Sequence, residues 1–304
     1  MTMSSLSSGL ATQPTSPSQS SLAPSDHDPD SIASRYQRDG FFLPFDVMSE
    51  SEAQVIRNDL ESAEAELSDR PADLALLRAY PDRLLPSFDA LVRHPRLIEG
   101  VSQILGPDLM VWSSGLFIKE ANTVSYVSWH QDLTYWGLDH TDEVTAWFAL
   151  SPSTIESGAM RFIPGSHTRQ LVPHRDSFAV DNLLTRGQEI AVEVDDSSAV
   201  NVILRPGQAS LHHGHLFHAS GPNRSNDRRI GAAIRYITPS MRQSNGDRAL
   251  VTQVSGEDRF NHFQVVGTPK GRLLPADLAL CRADSERKHK VLYKGVEDRK
   301  GKRY

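Results

Sequence analysis

A single cysteine, Cys281, occurs in the 304 residues, so no internal disulfide and no cysteine-built zinc or iron–sulfur site can form. That scarcity fits a reducing, cytoplasmic setting, which is the expected location. No run approaches the roughly 20 apolar residues needed to cross a bilayer, so no membrane partner is expected. The N-terminus lacks a charged segment followed by a continuous apolar one, so no secretory leader is expected either. Basic residues are not in excess: 32 Lys and Arg against 38 Asp and Glu leave a formal net charge of −6. A nucleic-acid partner would require the opposite balance gathered on one face, and none is expected. What the chain does have is 38% hydrophobic residues, enough at this length for one well-buried domain.

Residues 1–30 are rich in Ser, Thr, Pro and Gln without apolar periodicity, and are expected to be a disordered tail because they cannot offset their ordering entropy. Folding is expected to begin near Ile32. Tyr36, followed after Gly40 by Phe41, Phe42, Leu43 and Phe45, predicts a short helix leading into a strand. Ser49 and Glu52 have capping-box spacing, and Val55, Ile56, Leu60, Ala63 and Leu67 recur at helical intervals. A second helical stretch is predicted over 86–105, ending at Gly106-Pro107. Beyond it the periodicity changes to short strands at 109–119, 143–151, 159–163, 190–194, 207–212 and 229–237. Turn signals such as Glu156-Ser157-Gly158, Pro164-Gly165-Ser166, Pro206-Gly207 and Gly221-Pro222-Asn223 separate them. Helices followed by many short strands predict a mainly β fold, a β-sandwich or jelly-roll barrel with flanking helices. Residues 31–287 are expected to form the one domain, and the Lys-, Arg- and Gly-bearing 288–304 a basic tail or lid.

Of twelve histidines, His27, His94, His140, His167, His174, His262 and His289 stand singly among polar or turn residues and are assigned no ligand role. Two places are dense: Trp129-His130-Gln131-Asp132, and the run His212, His213, His215, His218. In His130-x-Asp132 the side chains are two apart, so on an extended segment they share a face and can reach one ion. Imidazole plus carboxylate suits Fe(II), and a second imidazole from a distant strand would complete a two-histidine, one-carboxylate face with open positions. Any of His212, His213, His215 and His218 could supply it on spacing alone. Among Arg228, Arg229 and Arg235, an arginine could hold a carboxylate through two parallel hydrogen bonds.

Three separated blocks carry a resemblance: Trp129-His130-Gln131-Asp132; Gly158 to His167 (GAMRFIPGSH); and His218-Ala219-Ser220-Gly221-Pro222-Asn223-Arg224-Ser225. Over about residues 35–240 the chain is similar to the phytanoyl-CoA dioxygenase family of Fe(II)/2-oxoglutarate oxygenases. The resemblance implies a double-stranded β-helix, the cupin-like jelly-roll barrel, with iron at its mouth. It implies Fe(II) on His130, Asp132 and His218, with 2-oxoglutarate and O2 as co-substrates. It puts the distal carboxylate of 2-oxoglutarate on Arg229, with Ser220 as a helper hydroxyl. Trp136, Ser113 and Lys119 are carried over as residues lining the co-substrate or substrate pocket, and His167 receives no ligand role.

Residues 129–138 (WHQDLTYWGL) are also similar to the syringomycin-type chlorinating branch, whose members carry Ala or Gly where this chain has Asp132. A coordinated carboxylate leaves chloride no place there, so the implied reaction is hydroxylation of an unactivated C–H, with release of succinate and CO2. The expected substrate is a small, polar, amino-acid-like molecule, met by some of Trp112, Phe117, Tyr126, Tyr135, Trp136 and Trp147, with Arg161 or Arg235. The alternatives are halogenation, desaturation or demethylation by the same cofactors, or a catalytically silent jelly-roll binding protein.

Overall fold

The computed structural model describes Met1 and residues 28–292, apart from Tyr135 and Thr185. Most of the expected N-terminal tail, and residues 293–304 of the expected C-terminal one, lie outside the described residues. The first half is helical: α1 (Ile32–Asp39), β1 (Phe41–Asp46), α2 (Glu50–Glu66), α3 (Pro71–Ala79), α4 (Pro81–Leu84), α5 (Pro86–Val92) and α6 (Pro95–Leu105). Strands follow as β2 (Leu109–Lys119), β3 (Val127–His130), β4 (Glu143–Ala149), β5 (Met160–Phe162), β6 (His174–Asp176), β7 (Gln188–Ile190) and β8 (Val200–Asn201). The chain continues through β9 (Gln208–His212), β10 (His218–Ser220), β11 (Arg229–Ile237), β12 (Leu250–Ser255) and β13 (Gln264–Val265) to α7 (Pro275–Leu292).

Seven strands form one sheet in the order β1-β9-β4-β11-β2-β12-β13, and four form a second, β3-β10-β5-β8. Both orders are linear, so the expected jelly roll is present as two sheets that do not close into a continuous barrel. Period-two alternation assigns the faces of the large sheet. On β11, Ile230, Ala232, Ile234 and Tyr236 join α2, α5 and α6 in the main apolar core, while Ala233 packs with Trp147, Met160 and Phe162 between the sheets. Every residue of β4 is buried, as expected of a central strand covered on both faces. Each large apolar side chain so buried contributes about 1.5–3 kcal/mol. The position of the second sheet thus decides which residues of β11 look into the interior cavity.

The capping box at Ser49 is formed: its main-chain N–H donates to Glu52 at 2.8 Å and its Oγ accepts from the Glu52 N–H at 3.2 Å. The helix predicted over 86–105 is instead two, α5 and α6. Pro95 lacks an N–H and disfavours helical backbone in His94, whose ψ of 127° breaks the run. The strand predicted at 190–194 ends at Ile190, where β7 pairs with β6. Strand β12 and helices α3, α4 and α7 were not predicted. Helix α7 runs through residue 288, where a tail was expected to begin, and Lys288 Nζ lies 5.1 and 5.2 Å from the ring centroids of Tyr80 and Trp112. Among the described residues no helix is long and apolar enough to cross a membrane.

Candidate active site

His130 ends β3 and His218 begins β10, and the two are direct cross-strand partners in the small sheet. Asp132 follows just past the end of β3, in the loop rather than on the extended segment that the spacing suggested. His130 Nε2 lies 3.3 Å and His218 Nε2 3.8 Å from Asp132 Oδ1, and one ligand atom from each of the three falls within 4.8 Å of the others. Main-chain carbonyls orient both rings. His130 Nδ1 donates to Ser128 O and His218 Nδ1 to Leu216 O, each at 2.9 Å. A carbonyl only accepts, so the hydrogen sits on Nδ1 and each Nε2 lone pair is left facing Asp132.

Burial, and then the neighbouring His130, pulls His218 down to about 4, so it is neutral at ordinary pH. Burial alone would raise the Asp132 carboxyl, but its closeness to His130 and His218 and the charge of Arg235 outweigh it and hold it well below the usual range. Neutral imidazole and ionised carboxylate are the states a divalent metal requires of its ligands.

Three rivals for the third ligand fall elsewhere. His212 lies on β9 of the large sheet, with its ring 5.2 Å from that of His218 and its buried Nδ1 unpartnered. Its donor atoms are outside the close triad. His213 packs against Tyr36 and His167, and its Nδ1 accepts from the His215 N–H at 2.9 Å.

A cationic end adjoins the triad. Arg229 opens β11 opposite Lys119, the last residue of β2, and both are buried. Arg229 Nη1 donates to Gly158 O at 2.8 Å, Nε has no partner, and the guanidinium lies 5.2 Å from the Trp147 ring centroid. Lys119 Nζ donates to Ser220 Oγ at 2.7 Å and to Gly221 O. Burial, and then the Arg229 charge, pulls Lys119 down to about 6, while burial pulls Arg229 down to about 10. A buried guanidinium beside a lysine that burial leaves largely uncharged, with no carboxylate paired to either among the described residues, is unfavourable alone and well suited to an incoming carboxylate, which would also favour the charged lysine.

A cavity open to solvent joins the triad to Ser220 and Arg229, while Lys119 stands behind its wall. His130, Asp132, His218, Ser220, Arg229 and Arg235 line it, together with Phe117, Trp147, Thr145, Met160 and His212. Trp136 and Ser113 do not line the cavity directly and instead flank Arg235. The Arg235 guanidinium sits 5.0 Å from the Trp136 centroid, and its Nη1 is 3.5 Å from Ser113 Oγ. Arg161 is turned away, paired with Asp196 at 2.7 Å, and Tyr135 lies outside the described residues. Trp112 packs on Trp136 at 5.2 Å, behind the cavity wall. Thr145, Met160 and His212 were missed as lining residues. Strand parity with Trp147 would have found Thr145.

The sequence profile of the phytanoyl-CoA dioxygenase (PhyH) family matches residues 36–231, nearly two thirds of the chain. The chain belongs to this family. It is a family of Fe(II)- and 2-oxoglutarate-dependent dioxygenases. Among relatives, a probable alpha-ketoglutarate-dependent hypophosphite dioxygenase of Stutzerimonas stutzeri is 27% identical over 51% of this chain, which spans about half (54%) of that protein. An L-proline trans-4-hydroxylase of Streptomyces griseoviridis is 26% identical over 66% of this chain and 84% of its own. Among solved structures, the apo form of the non-heme monooxygenase ThoJ superposes with a TM-score of 0.79 at 33% identity, covering 88% of this chain and all (100%) of the other. CytC3 with Fe(II) and alpha-ketoglutarate shares the fold, at a TM-score of 0.62 and 19% identity over 82% of this chain and 96% of its own.

Proposed function

We propose that the protein is an Fe(II)/2-oxoglutarate-dependent hydroxylase of a small, polar, amino-acid-like metabolite. The metal would be held by His130, Asp132 and His218, and the distal carboxylate of 2-oxoglutarate by Arg229 with Lys119 and Ser220. The observation that carries this reading is a single cavity with two complementary ends. At one, two histidines locked in the ligand tautomer converge on a buried carboxylate; at the other, a buried guanidinium has an orphaned Nε and no counterion among the described residues. Iron bound there with 2-oxoglutarate and O2 would supply the oxidising power for C–H hydroxylation, with succinate and CO2 leaving.

The chain's own share is geometric and electrostatic. The carbonyls of Ser128 and Leu216 hold the two Nε2 atoms toward the carboxylate. The Gly158 carbonyl orients Arg229, and the Trp147 face covers its guanidinium, so the clamp is rigid before any ligand arrives. Asp132 occupies the carboxylate position, which favours hydroxylation over halogenation. The catalytic unit is taken as the expected 31–287, continued through α7 to Leu292, and a cytoplasmic location is proposed on the one buried, free cysteine.

Anaerobic reconstitution of the full chain with Fe(II) and 2-oxoglutarate, followed by a metabolite screen for succinate release, tests the proposal. Substrate-dependent succinate and a product heavier by one oxygen are expected. Asp132→Ala should abolish both, and full retention of succinate formation by that variant would remove Asp132 from the ligand set.

A further inference from the structure

Strand β11 presents two arginines to the interior. Residues 229, 231, 233 and 235 alternate onto one face, and Arg229, Ala233 and Arg235 all line the cavity. Six residues of extended chain separate the Cα atoms of Arg229 and Arg235 by about 20 Å along the strand. Between them the side chains are minimal. A Cβ at Gly231 would drive into the Trp147 indole, and Ala233 contributes only a methyl group.

Arg229 is accounted for by the co-substrate in the reading above; Arg235 is not. Its Nε is buried without a hydrogen-bond partner among the described residues, and its one polar contact among them is the 3.5 Å approach of Nη1 to Ser113 Oγ. No Asp or Glu forms an ion pair with it among the described residues. Other partly buried arginines of this chain are paired: Arg228 with Glu64 and Glu120, Arg57 with Asp227 and Glu61. Aromatic walls hold the Arg235 guanidinium in place, with Trp136 at 5.0 Å and Phe117 at 6.0 Å. A guanidinium already held by ring faces and still short of an acceptor is prepared to bind an anion with little loss of rotamer freedom.

We propose that Arg235, aided by Ser113 and the Trp136 face, is the substrate's anion site, and that the substrate is a small monocarboxylic acid whose carboxylate docks there. This rests on the hydroxylase reading and narrows its substrate class. Charge selects a monoanion. Arg235 offers one positive charge, which a monocarboxylate neutralises, whereas a dianionic phosphate would leave a negative charge uncompensated in the cavity.

The test uses the full chain loaded with Ni(II) and 2-oxoglutarate, so that no turnover occurs, and measures binding by titration calorimetry. The probes are phenylacetate and indole-3-acetate, each against its own primary amide. Each acid is expected to bind about tenfold more tightly than its amide. Arg235→Gln should erase that preference, Arg235→Lys should keep part of it, and 2-oxoglutarate affinity should be the same in all three proteins. Equal binding of acid and amide by the unsubstituted protein overturns the inference without any variant. So does the failure of both acids to bind below about 10 mM, or an Arg235→Gln variant that weakens 2-oxoglutarate and the acids together, since Arg235 would then serve the co-substrate. If 2-oxoglutarate does not bind the metal-loaded protein, the hydroxylase reading itself fails and takes this inference with it; if it binds and the acid preference is missing, only the inference falls.

Discussion

His218 stands directly across the antiparallel ladder from His130, with ring centroids 4.0 Å apart, and each ring's Nδ1 is tied to a carbonyl two residues before it. The same i−2 bond on both strands leaves two Nε2 atoms side by side. The ladder therefore sets the ligand geometry, and Asp132 completes it from the adjoining loop.

Removing Arg229, the proposed co-substrate clamp, should uncouple 2-oxoglutarate affinity from metal binding. Arg229→Ala is expected to weaken 2-oxoglutarate by on the order of a hundredfold, the loss of a desolvated charge pair, while Fe(II) still binds. Arg229→Lys should rescue little, because an ammonium cannot reproduce the two-pronged guanidinium contact. Titration of 2-oxoglutarate into the metal-loaded variants checks both, and unchanged affinity in Arg229→Ala would move the clamp to another basic residue.

Stability of the metal-free protein should rise with pH between about 4 and 6.5. His218 has a folded value of about 4 against an ordinary 6.5, so in that window the unfolded chain holds more protons than the folded one. The contribution is fully present above 6.5 and is lost as pH falls through 4. His213, lowered to about 3 by burial and then by His215, acts in the same direction. Urea midpoints at several pH values measure the slope, and a flat profile across the window would show that these rings are not buried neutral.

Glu143 should act with the opposite sign. Burial, opposed by the Thr145 hydrogen bond and joined by the Asp132 charge, raises its carboxyl to about 8. The folded protein therefore holds a proton that the unfolded chain releases above 4.5, so this group's contribution falls as pH rises from 4.5 to 8, offsetting part of the histidine effect below 6.5. Glu143→Gln keeps the shape without the titration, so the variant should be the more stable at pH 8 by about 1 kcal/mol or more. Chemical denaturation of both proteins at pH 5 and pH 8 checks the crossover; a variant less stable at both values would refute it.

Gly158→Ala should damage fold and site together. Gly158 has φ of +71°, and a Cβ there would strike the carbonyl oxygens of Gly221 and Pro222. The expected destabilisation is about 1–3 kcal/mol, from left-handed backbone and overpacking. Because the Gly158 carbonyl accepts from Arg229, 2-oxoglutarate affinity should drop as well. A variant that loses stability but binds 2-oxoglutarate normally would show that this carbonyl does not orient the clamp.

Much of this molecule was legible in its residues, for reasons local to the chain. Strands β2, β4 and β11 follow from short apolar runs bounded by turn signals, and the start of α2 from a capping box satisfied within four residues. Pro95 was overlooked within an otherwise helical apolar pattern, although its effect on His94 is equally local. The His-x-Asp pair and the three blocks around it pointed to iron and 2-oxoglutarate because ligand type and spacing are themselves chemical constraints. Spacing could not choose His218 over His212, since both lie on strands and both are buried. The choice depends on which sheet each strand joins, and β10 pairs with β3 whereas β9 pairs with β1 and β4. Arg229 and Arg235 share a face by parity, a fact of sequence. Only the packing of Phe117 and Trp136, and the lack of an ion pair among the described residues, separated a second anion site from an ordinary surface arginine, because counterion and wall come from residues distant in the chain.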